Sequence, residues 1–142
     1  MVQHMKRRRG FTLIELMVVI LILAILAALI VPRVVGRTSE AKVAKAQSDL
    51  STLSGLIQAF RLDTGRYPTT EEGLQALRVP PADARGWKGP YTTKEIPDDP
   101  WGNAYIYEYP GTSGTESYIL LSLGSDGQEG GEGEAGDINE SD

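Results

Sequence analysis

The strongest constraint in this sequence is an uninterrupted apolar run near its N-terminus. Every residue from Leu16 to Val31 is apolar, and the apolar segment as a whole extends from Phe11 to Val31. As an α-helix, this segment spans about 32 Å, enough for the hydrocarbon core of a bilayer. A basic block, Lys6 to Arg9, precedes it. The pattern predicts a transmembrane helix over residues 11–32, with residues 1–10 cytoplasmic and residues 33–142 across the membrane.

Two simpler interpretations of this segment are an ordinary signal peptide and a plain membrane anchor. A signal peptide has a shorter apolar region, about 7–15 residues, followed by a small-residue cleavage site, whereas Pro32-Arg33 follows here. A plain anchor leaves Glu15 unexplained, because a carboxylate at the centre of an apolar helix costs about 2.5–3.5 kcal/mol. A cut between Gly10 and Phe11 would create an α-amino group, which a neighbouring subunit could present to Glu15.

The composition argues against an enzyme. The chain has no Cys and a single His, His4, which excludes thiolate metal sites, cysteine nucleophiles, a Ser-His-Asp triad and a multi-histidine zinc site. It has no P-loop motif for ATP hydrolysis. The formal net charge is −5, and no Lys or Arg occurs from Ser117 onward, so nucleic acid is not an expected partner.

The apolar run is expected to continue as a helix beyond Pro32, with a break or a bend at that residue. Further along, apolar residues recur at intervals of three and four, which is typical of an amphipathic helix. They are Val43, Ala46, Leu50, Leu53, Ile57 and Phe60. The sequence therefore predicts one helix from about Phe11 to about Thr64, ended by Gly65, with this stripe packing in a domain core and not in a coiled coil.

The remainder predicts a small sheet with long loops. Thr69 and Glu72 have the spacing of a capping box, which predicts a short helix. Residues 103–109 and 117–123 predict two antiparallel strands, and Trp101 is expected to anchor the core. The predicted fold class is α+β: a long N-terminal helix, first apolar and then amphipathic, packed on a small antiparallel sheet.

Residues 123–138 form a Gly-rich acidic loop, with six glycines in sixteen residues. Such a loop loses much entropy on ordering, and its carboxylates repel one another. It is either disordered or ordered by a hard cation such as Ca²⁺, which binds carboxylate and carbonyl oxygens. The residues match neither an EF-hand nor a glycine-rich calcium repeat. Their chemistry therefore leaves both disorder and Ca²⁺ binding open.

Several motifs carry a family resemblance. The segment Gly10-Phe11-Thr12-Leu13-Ile14-Glu15 resembles the prepilin signal of type IV pilins and pseudopilins. The motifs at 66–69, 72–74, 86–91 and 99–102, read in this order, resemble the major pseudopilins of type II secretion systems. This resemblance implies cleavage after Gly10 by a prepilin peptidase and N-methylation of Phe11. It also implies that Glu15 neutralises the Phe11 amine of an adjacent subunit during assembly.

The same resemblance implies a Ca²⁺ site in the Gly-rich loop. Its implied ligands are the carbonyl oxygens of Leu123 and Ser125 and the side chains of Asp126 and Asp137, with Glu134 as a third acid. The chain departs from the family pattern after the loop, because it lacks the tryptophan often found there. The implied role of Ca²⁺ is to stabilise the domain, with no part in catalysis.

The implied function is that of a structural subunit of the periplasmic pseudopilus, which drives protein export across the outer membrane. The subunit would be a single-pass inner-membrane protein with a periplasmic C-terminal domain before it joins a helical homo-oligomer. Its implied partners are minor pseudopilins, the prepilin peptidase and the inner-membrane secretion platform. Two alternatives are a type IV pilus subunit for adhesion, motility or DNA uptake, and a membrane-anchored calcium-dependent binding domain.

Overall fold

The computed structural model describes residues 10–140, with side chains placed for residues 10–28 and 38–140. Of the predicted 1–10 leader, only Gly10 falls among the described residues, and side chains 29–32 of the predicted 11–32 segment fall outside them. The chain divides into two compact units, Met1–Thr38 and Ser39–Asp142. Among the residues described here, no helix is long and apolar enough to cross a membrane.

One long helix, α1, covers Leu13–Thr64. The helix runs without interruption through Pro32, where a break or a bend was predicted, so of these two only the bend stays a prediction. The helix ends as predicted at Gly65, which has φ +75° and donates its N–H to the Arg61 carbonyl at 2.8 Å. Only glycine adopts this left-handed conformation without strain.

The amphipathic stripe of α1 lies in the domain core, as predicted. Ala46, Leu50, Leu53, Ile57 and Phe60 are buried, and Val43 at the start of the stripe is half-buried. Burial of these apolar side chains supplies much of the driving force for docking the helix on its domain.

Three short antiparallel strands form the sheet. Strand β1 is Ile106–Glu108, β2 is Ile119–Ser122 and β3 is Ile138–Asn139, in the order β1-β2-β3. Tyr107 pairs with Leu120, and Ser122 pairs with Ile138. The antiparallel pair predicted at 103–109 and 117–123 is confirmed with shorter strands, whereas β3 was not predicted. Two residues are too few to produce a recognisable alternation.

Tyrosines fill the core where the sequence suggested a tryptophan. Tyr67 and Tyr118 are almost fully buried, with ring centroids 5.1 Å apart in an edge-to-face arrangement. Tyr107 packs 5.9 Å from Tyr118, and its hydroxyl donates to the Pro68 carbonyl. Trp101 is only half-buried and lies outside the core cluster, so its prediction as the core anchor is wrong. Tyrosines fill the core and still satisfy their hydroxyl groups.

The predicted capping box after α1 is present. The Thr69 N–H donates to Glu72 Oε2 at 2.9 Å, and the Glu72 N–H donates to Thr69 Oγ1 at 3.2 Å. The short helix that follows is a 3₁₀-helix over Gly73–Leu77. A second 3₁₀-helix, Gly133–Ala135, lies within the Gly-rich loop.

Candidate functional site

The first candidate site is the start of α1. Thr12 immediately precedes the helix and forms a capping box with Glu15. The Thr12 N–H and hydroxyl donate to Glu15 Oε2 at 2.9 and 3.0 Å, and the Glu15 N–H donates to Thr12 Oγ1 at 3.3 Å. The carboxylate therefore closes the first turn of its own helix. This contact was not predicted, although Thr12-x-x-Glu15 has the required spacing.

Apolar surface surrounds this carboxylate. The large apolar side chains exposed between Phe11 and Leu26 are 47–86% accessible. Among the described residues, no basic side chain forms an ion pair with Glu15. The Glu15 carboxylate therefore has hydrogen-bond donors but no counter-charge. The apolar side chains around it interact unfavourably with water.

The second candidate site is the Gly-rich loop, whose two ends are close together. The Ser125 N–H donates to the Glu134 carbonyl at 2.8 Å. Gly124 has φ +65°, and a Cβ built on it would lie 2.5 Å from the Glu134 carbonyl oxygen. Only glycine fits here, because a side chain would meet backbone atoms that cannot move aside easily.

The acids of this loop have different environments. Asp126 Oδ1 accepts the Gln128 N–H at 3.1 Å in an exposed turn. Asp137 Oδ2 accepts the Gly130 N–H at 2.9 Å, whereas Asp137 Oδ1 is buried with no hydrogen-bond partner. Leaving a buried carboxylate oxygen unpaired costs roughly 1–3 kcal/mol or more. A cation bound to this oxygen would remove that cost, so Asp137 fits the chemistry of a Ca²⁺ ligand.

The complete predicted ligand set is not assembled as an acidic cluster. No group of three or more His, Cys, Asp or Glu side chains in the described part of the chain is arranged to hold a metal. Glu134 is half-buried, and its carbonyl is engaged by Ser125. Leu123 and Ser125 lie at the start of the loop, where their carbonyls were predicted to bind the ion. The ligand set Leu123, Ser125, Asp126, Glu134 and Asp137 stays a prediction.

One residue that contacts the loop was not predicted. The Asn103 side-chain amide donates to the Gly124 carbonyl at 2.8 Å, from a turn 21 residues earlier in the chain. The sequence predicts Asn103 as the first residue of a strand over 103–109, because alternating aromatic residues follow it, whereas β1 begins three residues later at Ile106. Its position after the Asp99–Gly102 turn was the available signal, since Asn at such turns often binds backbone groups.

Comparisons with known proteins cover almost the whole chain. Residues 33–141 match the family described as type II secretion system (T2SS), protein G, and residues 5–31 match the prokaryotic N-terminal methylation motif. The type II secretion system core protein G of Pseudomonas aeruginosa is 45% identical over 139 residues, covering 94% of this chain and 96% of that protein. The Vibrio cholerae protein of the same name is 43% identical over 138 residues, covering 96% and 93%.

A solved structure agrees with these matches. The crystal structure of the major pseudopilin from the type 2 secretion system of enterohaemorrhagic Escherichia coli superposes with a TM-score of 0.61. Its sequence is 35% identical, and the match covers 74% of this chain and 90% of that one. The predicted α+β fold and the predicted family are both confirmed, and the chain belongs to the protein G family of type II secretion systems.

Proposed function

We propose that this chain is the major structural subunit of a type II secretion pseudopilus, a homo-oligomeric filament that serves protein export. The observation that carries the proposal is the unmatched Glu15 carboxylate within an exposed apolar surface. Both features disfavour an isolated subunit in water, and both are resolved when identical helices pack together. Membership of the protein G family supports a pseudopilus over a type IV pilus. The subunit has no catalytic role.

The route to the filament begins in the inner membrane. The apolar residues 11–32 anchor the precursor there, with the basic leader in the cytoplasm and the α+β domain in the periplasm. Cleavage between Gly10 and Phe11 by a prepilin peptidase, followed by N-methylation of Phe11, creates a cationic N-terminus. The match of residues 5–31 to the N-terminal methylation motif supports this step. Minor pseudopilins and the inner-membrane secretion platform are the further partners.

Intact-mass spectrometry tests this proposal. The full chain is isolated from membranes of a host that contains an active prepilin peptidase. The expected mass corresponds to residues 11–142 plus one methyl group. An uncut chain, in a host that processes a control prepilin, would contradict the proposal and favour a membrane-anchored binding domain.

We also propose that the Gly-rich loop binds Ca²⁺. The buried, unpartnered Oδ1 of Asp137 supports this proposal, together with the φ > 0 glycines that allow the loop to turn its carbonyls inward. Asp126 and Asp137 would supply carboxylate oxygens, Leu123 and Ser125 would supply carbonyl oxygens, and Glu134 would be a further ligand. The ion would neutralise the loop and tie its ends together, which stabilises the folded state by linkage.

Thermal unfolding of the detergent-solubilised full chain tests the calcium proposal. Ca²⁺ at about 100 times its Kd adds about 2.7 kcal/mol, which raises Tm by roughly 10 °C for a domain of this size. Asp137→Asn should abolish most of this shift. Glu129→Gln, at an exposed acid of the same loop, should retain it. A wild-type Tm that is equal in Ca²⁺ and in EGTA would refute the site.

A further inference from the structure

The Gly-rich loop begins at a glycine, Gly124, that is held through the peptide units on both of its sides. The Gly124 N–H donates to Ser122 Oγ at 3.2 Å, and the Gly124 carbonyl accepts the Asn103 amide at 2.8 Å. Gly124 and Ser122 are buried, and Asn103 is half-buried. A residue whose preceding N–H and following carbonyl are both hydrogen-bonded has little freedom to rotate about φ and ψ. We call Asn103 and Ser122 the Gly124 clamp.

A single buried carboxylate orients both members of this clamp. Asp99 is 4% exposed, and its Oδ1 accepts the Asn103 N–H at 2.8 Å and the Trp101 N–H at 3.0 Å. Its Oδ2 accepts the Ser122 hydroxyl at 2.5 Å. The hydroxyl hydrogen of Ser122 is thereby committed to Asp99, which leaves its oxygen free to accept the Gly124 N–H. Asp99 thus connects the turn at 99–103 to the end of β2.

The clamped glycine also determines how the two ends of the loop meet. Gly124 lies against the backbone of residues 134–136, and the next residue, Ser125, bonds to the Glu134 carbonyl at 2.8 Å. Asp137, which carries the unpartnered buried oxygen, follows directly. Fixing Gly124 therefore fixes the distance between the start of the loop and the aspartate at its far end.

We infer that Asn103 is a positioning residue for the cation site of the Gly-rich loop, acting through the Gly124 peptide. This inference rests on the proposed Ca²⁺ site. A loop with six glycines loses much entropy when an ion orders it, and a clamp that orders one end beforehand reduces that loss. Removing the clamp should weaken Ca²⁺ binding more than it destabilises the Ca²⁺-free fold.

The test compares the two asparagines of the chain, using the full protein in detergent. Asn103→Ala removes the contact with Gly124, whereas Asn139→Ala makes the same chemical change at an exposed position on β3. We expect calorimetric titration with Ca²⁺ to give a Kd about ten times weaker for Asn103→Ala, the size expected for one buried hydrogen bond. Asn139→Ala should stay within about twofold of the wild type.

Amide hydrogen exchange in EGTA supplies a second readout that does not depend on the ion. In Asn103→Ala, the Ser125 amide should exchange about ten times faster, and the Glu140 amide, which bonds to the Leu120 carbonyl, should be unchanged. If the wild type binds Ca²⁺ and Asn103→Ala binds it equally well, the positioning role is wrong and the calcium site stands. If the wild type does not bind Ca²⁺, both are wrong.

Discussion

The same capping motif occurs in two regions of this chain with opposite electrostatic outcomes. At the end of α1, Glu72 closes a box with Thr69 and also receives two hydrogen bonds from the Arg66 guanidinium, both at 2.7 Å. At the start of α1, Glu15 closes a box with Thr12, and no basic side chain in the described part of the chain pairs with it. The Thr69–Glu72 box carries its counter-charge within the domain, whereas in the proposed filament the Thr12–Glu15 box takes one from another subunit.

Under the proposed function, this difference separates residues that fold the domain from residues that assemble the filament. A box whose charge is neutralised internally contributes to stability. A box whose charge is not neutralised, on a helix with exposed apolar side chains, contributes chiefly when another helix packs against it. Variants of the two boxes should therefore affect different measurements.

The largest effect is expected from Glu15→Gln. Removing one partner of a buried charge pair costs about 3–5 kcal/mol, so filament yield should fall more than a hundredfold. The Tm of the α+β domain should not change. Sedimentation of sheared filaments, followed by immunoblotting, measures the yield. Glu40→Gln, at an exposed position of the same helix, is the matched control and should assemble normally.

The next effect concerns the counter-charge of the Thr69–Glu72 box. Arg66→Ala leaves the Glu72 carboxylate half-buried without its guanidinium and removes a hydrogen bond to the Tyr67 carbonyl. We expect a loss of about 1–3 kcal/mol of unfolding free energy, measured by thermal denaturation. Arg85→Ala, at an exposed arginine, should change stability by less than about 0.5 kcal/mol. Equal effects of the two variants would contradict the assigned role of Arg66.

The same pair makes stability depend on pH. Hydrogen bonds from Arg66 hold the pKa of Glu72 below its usual value of 4.5, against the opposing effect of burial. The contribution of Glu72 to the unfolding free energy is therefore present at pH values above its usual pKa. It is lost as the pH falls through the lowered pKa. The difference in Tm between the wild type and Glu72→Gln should be larger at pH 7 than at pH 3. In an Arg66→Ala background, this difference should lose most of its pH dependence.

The smallest effect is expected from the two threonines. Thr69→Ala should lower the unfolding free energy of the domain by about 1 kcal/mol, because the Glu72 N–H loses its acceptor. Thr12→Ala should leave it unchanged, since its box lies at the other end of α1. Thermal denaturation of both variants in parallel makes the comparison. A loss in Thr12→Ala as large as that in Thr69→Ala would mean that the two boxes are not functionally distinct.

Patterns that repeat along the chain were predictable from sequence, and contacts between distant segments were not. The stripe from Ala46 to Phe60 and the stop at Gly65 follow from helical periodicity and backbone sterics, and both are confirmed. The half-burial of Trp101 could not be predicted, because residue size alone does not say which aromatic side chain reaches the core. Tyr67, Tyr107 and Tyr118 fill it from three separate segments.

The candidate sites show the same division. The roles of Gly10, Phe11 and Glu15 follow from the resemblance of residues 10–15 to the prepilin signal and stay predictions, whereas the contact of Glu15 with Thr12 was predictable from local spacing. The link from Asn103 to Gly124 joins residues 21 positions apart and required the sheet to be in place. The unpartnered oxygen of Asp137 likewise depends on how the loop folds back, which composition does not determine.

In the proposed filament, Glu15 obtains its counter-charge from the N-terminus of a neighbouring subunit. Electron cryomicroscopy of the assembled filament measures this directly, as the distance from the Phe11 nitrogen of one subunit to the Glu15 carboxylate of the next. We expect this pairing to give a separation within about 4 Å, the range of an ion pair. A filament in which Glu15 remains bonded to Thr12 of its own chain, with every neighbouring Phe11 nitrogen well beyond that range, would contradict it.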